Sequence, residues 1–347
     1  MNIAMILASL PSSGKKPGGV DIAIHRLANT LVMMGQSVVV LSPCDKPADA
    51  LYEHLQIFPW MKDKVDSKIM RLLLFPLLLN FLNFSRFDVL HLNGDDWFFI
   101  WRTKPSVRVL HGSALREAQF ATSSKRKWLQ YFIYPLELLS SKLATRVVAG
   151  GEDAAKIYKS NYLVDYGVDL SIFTRKAKHD FPSVFYVGTW RGRKRGKFLF
   201  DIFVNEVLPA KNDAILCMAC DYVPDHPQVI NLGFPSDAEL ARHMAEAWIF
   251  AYPSTYEGFG IPYVEAMACG TTILTTSNPG SEYLLRNGET GLIVEDDQFG
   301  TSLLSLLNDA RYRKLLAKNA ASGIARFTWD HVAKNYIQIY EDTIRSF

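Results

Sequence analysis

Two glutamates stand with seven residues between them in the stretch PSTYEGFGIPYVEAMACG, residues 253–270. Glu257 lies in the turn YEGFGIP, where Gly258 and Gly260 around Phe259 leave its carboxylate room to point into a cleft. Glu265 lies on the small-residue helix expected to follow. A carboxylate accepts paired hydrogen bonds from vicinal hydroxyls, as in a ribose or a hexose. Two of them can therefore hold two sugars, one at each end of a diphosphate. Taken singly, either glutamate is as well accounted for by stabilisation of a helix end.

A second constellation, GTWRGRKRG (Gly188–Gly196), packs Arg191, Arg193, Lys194 and Arg195 between glycines where a strand hands over to a helix. Guanidinium forks, an ammonium and exposed N–H groups all favour the same anion, which suits a diphosphate. Such a loop alone is more often a solvated face or a nucleic-acid contact; its place after a strand is what favours the diphosphate. PGGVD puts Pro17, Gly18 and Gly19 ahead of a helix, where backbone can approach a phosphate or sugar, although the G-x-G-x-x-G spacing is absent. His111 follows a strand and precedes Gly112, so it is either a satisfied structural histidine or a cleft group. The adjacent Asp95 and Asp96 are expected to cap a following helix, and no metal is assigned.

These residues need elements to place them. Short β-branched runs alternate with helical periods: IAMILAS, then Val20, Ala23, Ile24, Leu27 and Leu31, then SVVVLSP, FDVLHLNG, VRVLHGS and TRVVAGG. A second series starts after YGVDLSIF and runs through SVFYVGT, AILCMAC, QVINLGF, IFAYPS, TTILTTS and GLIVED, with helices from about Lys197 and from Ser236. Two doubly wound α/β units are expected, and ligands bind beyond the carboxyl ends of such strands. Loops from both halves, including GFP (Gly233–Pro235), are expected to line one cleft.

At 347 residues, 49% hydrophobic, the chain is long enough for two cores. Residues 1–165 carry 20 Lys and Arg against 14 Asp and Glu, and residues 166–347 carry 18 against 21, so the first half weakly favours an anionic partner or surface. The four cysteines are scattered, and CMAC lacks the second pair or histidines of a zinc site, so reduced buried thiols are expected. MNIAMILASLP lacks a basic region ahead of its apolar run and reads as a first strand, which implies the cytoplasm. LLLFPLLLNFLNF (Leu72–Phe84), broken by Pro76, is too short to span a membrane and is expected to be a buried helix, with an interfacial surface as the alternative. SSKRKWLQYFIYP (Ser123–Pro135) mixes cations with aromatics, as an amphipathic helix or a membrane-facing one does.

The stretch PSTYEGFGIPYVEAMACGTTILTTSNPGSEYL resembles the E-x7-E region of retaining glycosyltransferases of family 4, and weaker echoes cover nearly the whole chain, among them PGGVDIAIHRLANTLVMMGQSVVVLSP, VLHG, YGVDLSIF and FTWDHVAKNYIQIYE. The resemblance implies a GT-B fold, with two facing Rossmann-like domains and a cleft between them. Residues 1–165 would bind the acceptor and residues 166–328 the nucleotide sugar, with the helix 329–347 packing back on the first domain. Glu257 would contact the transferred sugar and Glu265 the ribose. Gly280 and Ser281 of NPGSE would face the donor phosphates and sugar, with Phe234 and Pro235 near the base. The family reads G-R-L followed by K-G, whereas this chain has Thr189 in the arginine's place and one extra residue before Gly196, so the phosphate role moves to Arg193, Lys194 and Arg195. At the interdomain hinge Tyr166 replaces the common asparagine.

The implied activity is transfer of a sugar from a nucleotide diphosphate sugar to a glycan or lipid-linked acceptor, without metal or cofactor. The expected catalytic set is Glu257, His111, Arg193 and Lys194. Arg195, Phe234, Gly258, Phe259, Gly260, Glu265, Gly280 and Ser281 join the donor contacts, as does Gly19, which with His111 also shapes the acceptor side. No nucleic-acid partner is expected; the cytoplasm is the expected location, with peripheral contact at the inner face of the cell membrane, through the first domain, as the alternative. A nucleotide-sugar epimerase of the same fold and a non-catalytic sugar-nucleotide-binding module are the rival readings.

Overall fold

The computed structural model describes residues 1–11, 18–64, 67, 69–121 and 123–347. Pro17 of the PGG turn lies outside them. Two units emerge: Met1–Gly167 together with Trp329–Phe347, and Val168–Thr328.

In the first unit the strands are β1 (Asn2–Ile6), β2 (Ser37–Ser42), β3 (Glu53–Gln56), β4 (Val89–Leu92), β5 (Ser106–Leu110), β6 (Arg146–Ala149) and β7 (Tyr162–Leu163). They form one parallel sheet in the order β3-β2-β1-β4-β5-β6-β7, with Ile3 opposite Val38 on one side and Val89 on the other. Alternate residues of β1 feed opposite cores, which is why its run is apolar throughout. Ile3 and Met5 pack with Ile24 and Leu27 of the helix Gly19–Met33 and with Tyr336 and Tyr340 of the helix Trp329–Arg345. Ala4 and Ile6 pack on the other face with Phe75 and Leu79.

Residues 70–81 form a broken helix: a π turn (Met70–Leu74), one α turn (Phe75–Leu78) that holds Pro76, and a 3-10 turn (Leu79–Phe81). The expectation of a buried helix holds for one face only. Phe75 and Leu79 are buried, whereas Leu73, Leu77 and Phe81 are exposed. No helix among the described residues is long and apolar enough to cross a membrane.

The second unit contains β8 (Ser183–Gly188), β9 (Ile215–Cys220), β10 (Val229–Asn231), β11 (Ile249–Tyr252), β12 (Thr272–Thr276) and β13 (Leu292–Val294), all parallel, in the order β10-β9-β8-β11-β12-β13. This is the 3-2-1-4-5-6 winding, in which strand order reverses between β8 and β11 and leaves a crevice at their carboxyl ends. The helix Gly196–Ile202 follows β8, and the helix Asp237–Glu246 starts at a capping box formed by Ser236 and Glu239. All four cysteines are free, and CMAC lies within β9.

Candidate active site

The loops after β8 and β11 meet at that crevice. Thr255 N–H donates to the Arg193 carbonyl at 2.9 Å, tying one loop to the other. Glu257 is buried, and its Oε1 accepts from Ser254 Oγ at 2.6 Å, Lys194 Nζ at 2.6 Å, Arg193 Nη1 at 2.8 Å and Tyr252 O–H at 3.0 Å. Arg193 also donates to the Tyr256 carbonyl at 2.5 Å, and Lys194 donates to Tyr252 Oη and lies 4.6 Å from that ring's centre. Burial pushes the Glu257 carboxyl up, but Lys194 and Arg193 outweigh burial and hold it below the usual carboxylate range. The result is an ionised carboxylate with two cations on one oxygen, a cluster of net charge +1 at the mouth of a doubly wound sheet. All four contacts fall on Oε1, so Oε2 remains for a hydroxyl. The cations keep side-chain exposures of 31% for Arg193 and 20% for Lys194, enough for an anion to reach them.

The neighbouring helix holds this loop in place. Asn278 Nδ2 donates to the Ser254 carbonyl at 2.9 Å and to Tyr263 Oη at 3.0 Å. Gly280 N–H donates to the Glu257 carbonyl at 2.9 Å. A Cβ on Gly280 would stand 2.4 Å from the Phe259 carbonyl oxygen and 2.9 Å from the Glu257 Cβ, so only glycine permits this approach. Gly260, at φ +94°, opens the helix Ile261–Ala268 in a conformation that side chains rarely adopt.

Three expectations need correction. Arg195 turns away from Glu257: its guanidinium pairs with both oxygens of Asp296 at 2.7 and 2.6 Å and stacks 3.8 Å over the Phe198 ring. The Gly280 amide is committed to Glu257, and the buried Ser281 donates its N–H to Asn278 Oδ1 at 3.0 Å and its hydroxyl to the Thr276 and Asn278 carbonyls. Both therefore brace the loop instead of offering donors to phosphate. Asp95 and Asp96 cap no helix. Asp95 sits at φ +53° and pairs with Arg71 at 2.5 Å; Asp96 is fully buried between Arg102, Arg108 and the Ser140 hydroxyl.

Gly258 is half-buried and Phe259 buried in the Glu257 loop, and Glu265 is half-buried in the second turn of the next helix. Phe234, which follows Gly233 beyond the end of β10, is 65% exposed. Tyr252 and Ser254 were missed as Glu257 partners; their place at the carboxyl end of an apolar strand is the only signal that points to them.

His111 and Gly19 belong to the first unit. Gly19 begins the helix Gly19–Met33 and is exposed. His111 Nδ1 lies 2.6 Å from Tyr166 Oη and its Nε2 lies 3.3 Å from Asn93 Oδ1. Asn93 Oδ1 is also 2.8 Å from His91 Nε2, whose ring partner on the other side is Tyr340 Oη at 2.6 Å. An amide oxygen only accepts, so both imidazoles carry their proton on Nε2, with the tyrosines donating to Nδ1. Burial pushes His111 down to about 3 and His91 down to about 4, so both rings are neutral at physiological pH. His111 is thus a hydrogen-bonding group and not a cation, and Asn93, which the sequence reading passed over, sets its tautomer.

The family models agree with this architecture. Residues 17–168 match the model described as Glycosyltransferase Family 4, and residues 225–323 match Glycosyl transferases group 1. The chain is a family 4 glycosyltransferase. It is 27% identical to phosphatidyl-myo-inositol mannosyltransferase from Mycobacterium tuberculosis, over 98% of this chain and 97% of that protein. A shorter match, 33% identical over 110 residues, spans 31% of this glycosyltransferase and only 25% of a D-inositol 3-phosphate glycosyltransferase from Stackebrandtia nassauensis. Among solved structures, sucrose-phosphate synthase from Thermosynechococcus elongatus superposes with a TM-score of 0.78 at 19% identity, with all of both chains covered. That likeness places this family 4 glycosyltransferase in the GT-B fold class.

Proposed function

We propose that this glycosyltransferase moves a sugar from a nucleotide diphosphate sugar to an acceptor hydroxyl, with retention at the anomeric carbon, in the assembly of a glycan, polysaccharide or glycolipid. The observation that carries the reading is the Glu257 carboxylate held between Arg193 and Lys194 at the crevice of the second unit. Glu257 Oε2 accepts from a hydroxyl of the transferred sugar, and Glu265 holds the ribose. Arg193 and Lys194 stabilise the charge that develops on the diphosphate as the bond from the anomeric carbon to its oxygen breaks. The acceptor oxygen forms the new bond on the same face, and its proton passes to the departing diphosphate, so no protein base is required. Neutral His111, held between Tyr166 and Asn93, brings no charge to the acceptor side. The reaction needs no cofactor and no metal.

The acceptor belongs to the first unit and is glycan or lipid-linked, in keeping with the mycobacterial relative's name. The helix Ser124–Leu143 exposes Trp128 and Phe132 beside Lys125, Arg126 and Lys127, the composition of a segment that rests on an anionic membrane surface. That supports a peripheral location at the inner face of the cell membrane. Thermal shift against nucleoside diphosphates and their sugars identifies the donor, since a ligand of the folded state raises apparent stability. Proton NMR of the fresh product from an α-linked donor should show an α-glycoside, formed also in excess EDTA. A β-linked product overturns retention. Conversion of donor without acceptor favours an epimerase, and binding without turnover favours a recognition module.

A further inference from the structure

Two fully buried tyrosines stand on neighbouring strands beneath the crevice of the second unit: Tyr186 in β8 and Tyr252 at the end of β11, with ring centres 6.4 Å apart. Phenylalanine would fill the same space, so packing does not account for either hydroxyl. A buried hydroxyl costs free energy unless it is hydrogen-bonded, and its partners show what it holds. The Tyr186 hydroxyl donates to the Thr189 carbonyl at 2.9 Å and lies 3.2 Å from the Lys194 carbonyl. It thus clasps the basic loop from inside, at both ends of the turn that carries Arg193. Gly188 and Gly196 leave room for it: a Cβ on Gly188 would stand 2.8 Å from the Tyr186 Cζ, and one on Gly196 3.2 Å from its hydroxyl. Two glycines of GTWRGRKRG therefore serve a tyrosine.

Tyr252 holds the side chains. Its hydroxyl donates to Glu257 Oε1 at 3.0 Å and accepts from Lys194 Nζ, and that ammonium lies 4.6 Å from the ring centre. Tyr263 packs edge-on to the ring at 5.3 Å, so the hydroxyl has a fixed place. Glu257 and Lys194 stand on loops, whereas Tyr252 belongs to the sheet, and a group on a rigid element places its partners more precisely. Burial pushes the Tyr186 phenol up, so it remains a donor throughout the neutral range. We propose that Tyr186 and Tyr252 are positioning residues for the transfer: the first fixes the backbone of the basic loop, and the second sets the Lys194 ammonium against Glu257, so that both cations meet the diphosphate in one arrangement. Both act through the loops and not on the donor. The proposal rests on the reading of Arg193 and Lys194 as the cations that stabilise the departing diphosphate.

The test compares Tyr186→Phe, Tyr252→Phe, Lys194→Ala and each Phe change combined with Lys194→Ala, all in the full chain. Release of nucleoside diphosphate from UDP-glucose, UDP-N-acetylglucosamine, ADP-glucose and GDP-mannose gives kcat and KM. Tyr252→Phe should lower kcat about 10–100-fold, the scale of one hydrogen bond to a charged group, and Tyr186→Phe about 2–10-fold, the scale of a neutral one. Donor KM should change far less than kcat, since the cations act on charge that develops only as the bond breaks. In the Lys194→Ala background each Phe change should cost less than in the parent, because part of what it positions is gone. If one Phe variant loses its native circular dichroism, the other carries the test. Parental kcat in both Phe variants overturns the proposal, as does a loss of the same size in both backgrounds, which marks a structural tyrosine. Lys194→Ala with parental kcat removes the diphosphate reading itself; an impaired Lys194→Ala beside unimpaired Phe variants removes the proposal alone.

Discussion

Replacing Glu257 should move stability and nucleotide affinity in opposite directions. In Glu257→Ala the partners of Oε1 lose their common acceptor, and two cations lose their counter-charge in a largely buried site. Removing one member of a buried pair costs about 3–5 kcal/mol. Arg193 keeps nearly a third of its side-chain surface in water, which puts the expected cost near the lower bound, about 3 kcal/mol. For a unit of this size that is a fall in Tm of about 6–12 °C. Glu257→Gln preserves shape and should cost less, while the local charge rises from +1 to +2. A free nucleoside diphosphate then meets two cations without a competing carboxylate, and its affinity should rise about tenfold, roughly 1.4 kcal/mol. Turnover should move the other way, falling by about 10²–10³, because the sugar loses the carboxylate that orients it. Differential scanning fluorimetry, calorimetric titration with UDP and GDP, and single-turnover transfer with the donor so identified measure the three quantities. A Gln variant that melts with the parent and binds neither nucleotide more tightly would refute the view that Glu257 holds Arg193 and Lys194 poised for an anion.

Arg193→Ala and Lys194→Ala should each cost about 2–4 kcal/mol of transition-state stabilisation, whereas Arg195→Ala should keep near-parental kcat and lose at most about 1 kcal/mol of stability, since it breaks only a bridge to the exposed Asp296; a kinetic loss at Arg195 matching the other two refutes the division. Gly280→Ala drives a Cβ to 2.4 Å from the Phe259 carbonyl oxygen, so Tm and turnover should fall together by about 1–3 kcal/mol of overpacking, and a variant that loses neither shows that the loop yields. Burial holds His91 near 4 and His111 near 3, so the unfolded chain binds more protons below about pH 6.5, and stability, complete above that value, is lost as pH falls toward 4 at up to about 1.4 kcal/mol per pH unit for each ring. His91→Gln should flatten that slope in urea melts by about one ring's share, and an unchanged slope contradicts the assignment.

Strand positions, the helix starts at Gly19, Gly196 and Asp237, and the E-x7-E loop were legible because each is written in neighbouring residues: β-branched runs, a helical period, a capping box. Elements without such a local signal were missed. β3 is Glu53–Gln56, four residues that include no β-branched side chain, and β7 is two residues long; both are edge strands that the sheet recruits. Pairing is less local still. Arg193 and Glu257 stand 64 residues apart and meet because β8 and β11 are neighbours in the sheet, an adjacency that follows from the doubly wound order once that order is assumed. The assignment of individual cations does not follow from it. Arg193, Lys194 and Arg195 are consecutive and alike in charge, yet the first two reach Glu257 and the third reaches Asp296, 101 residues on. What divides them is the backbone at Arg195, left-handed at φ +61°, where the loop reverses into the helix Gly196–Ile202. Arginine has no preference for that conformation, so no pattern of residue types announces it; the glycine that follows supplies room for the turn, and the turn decides which cations face the crevice.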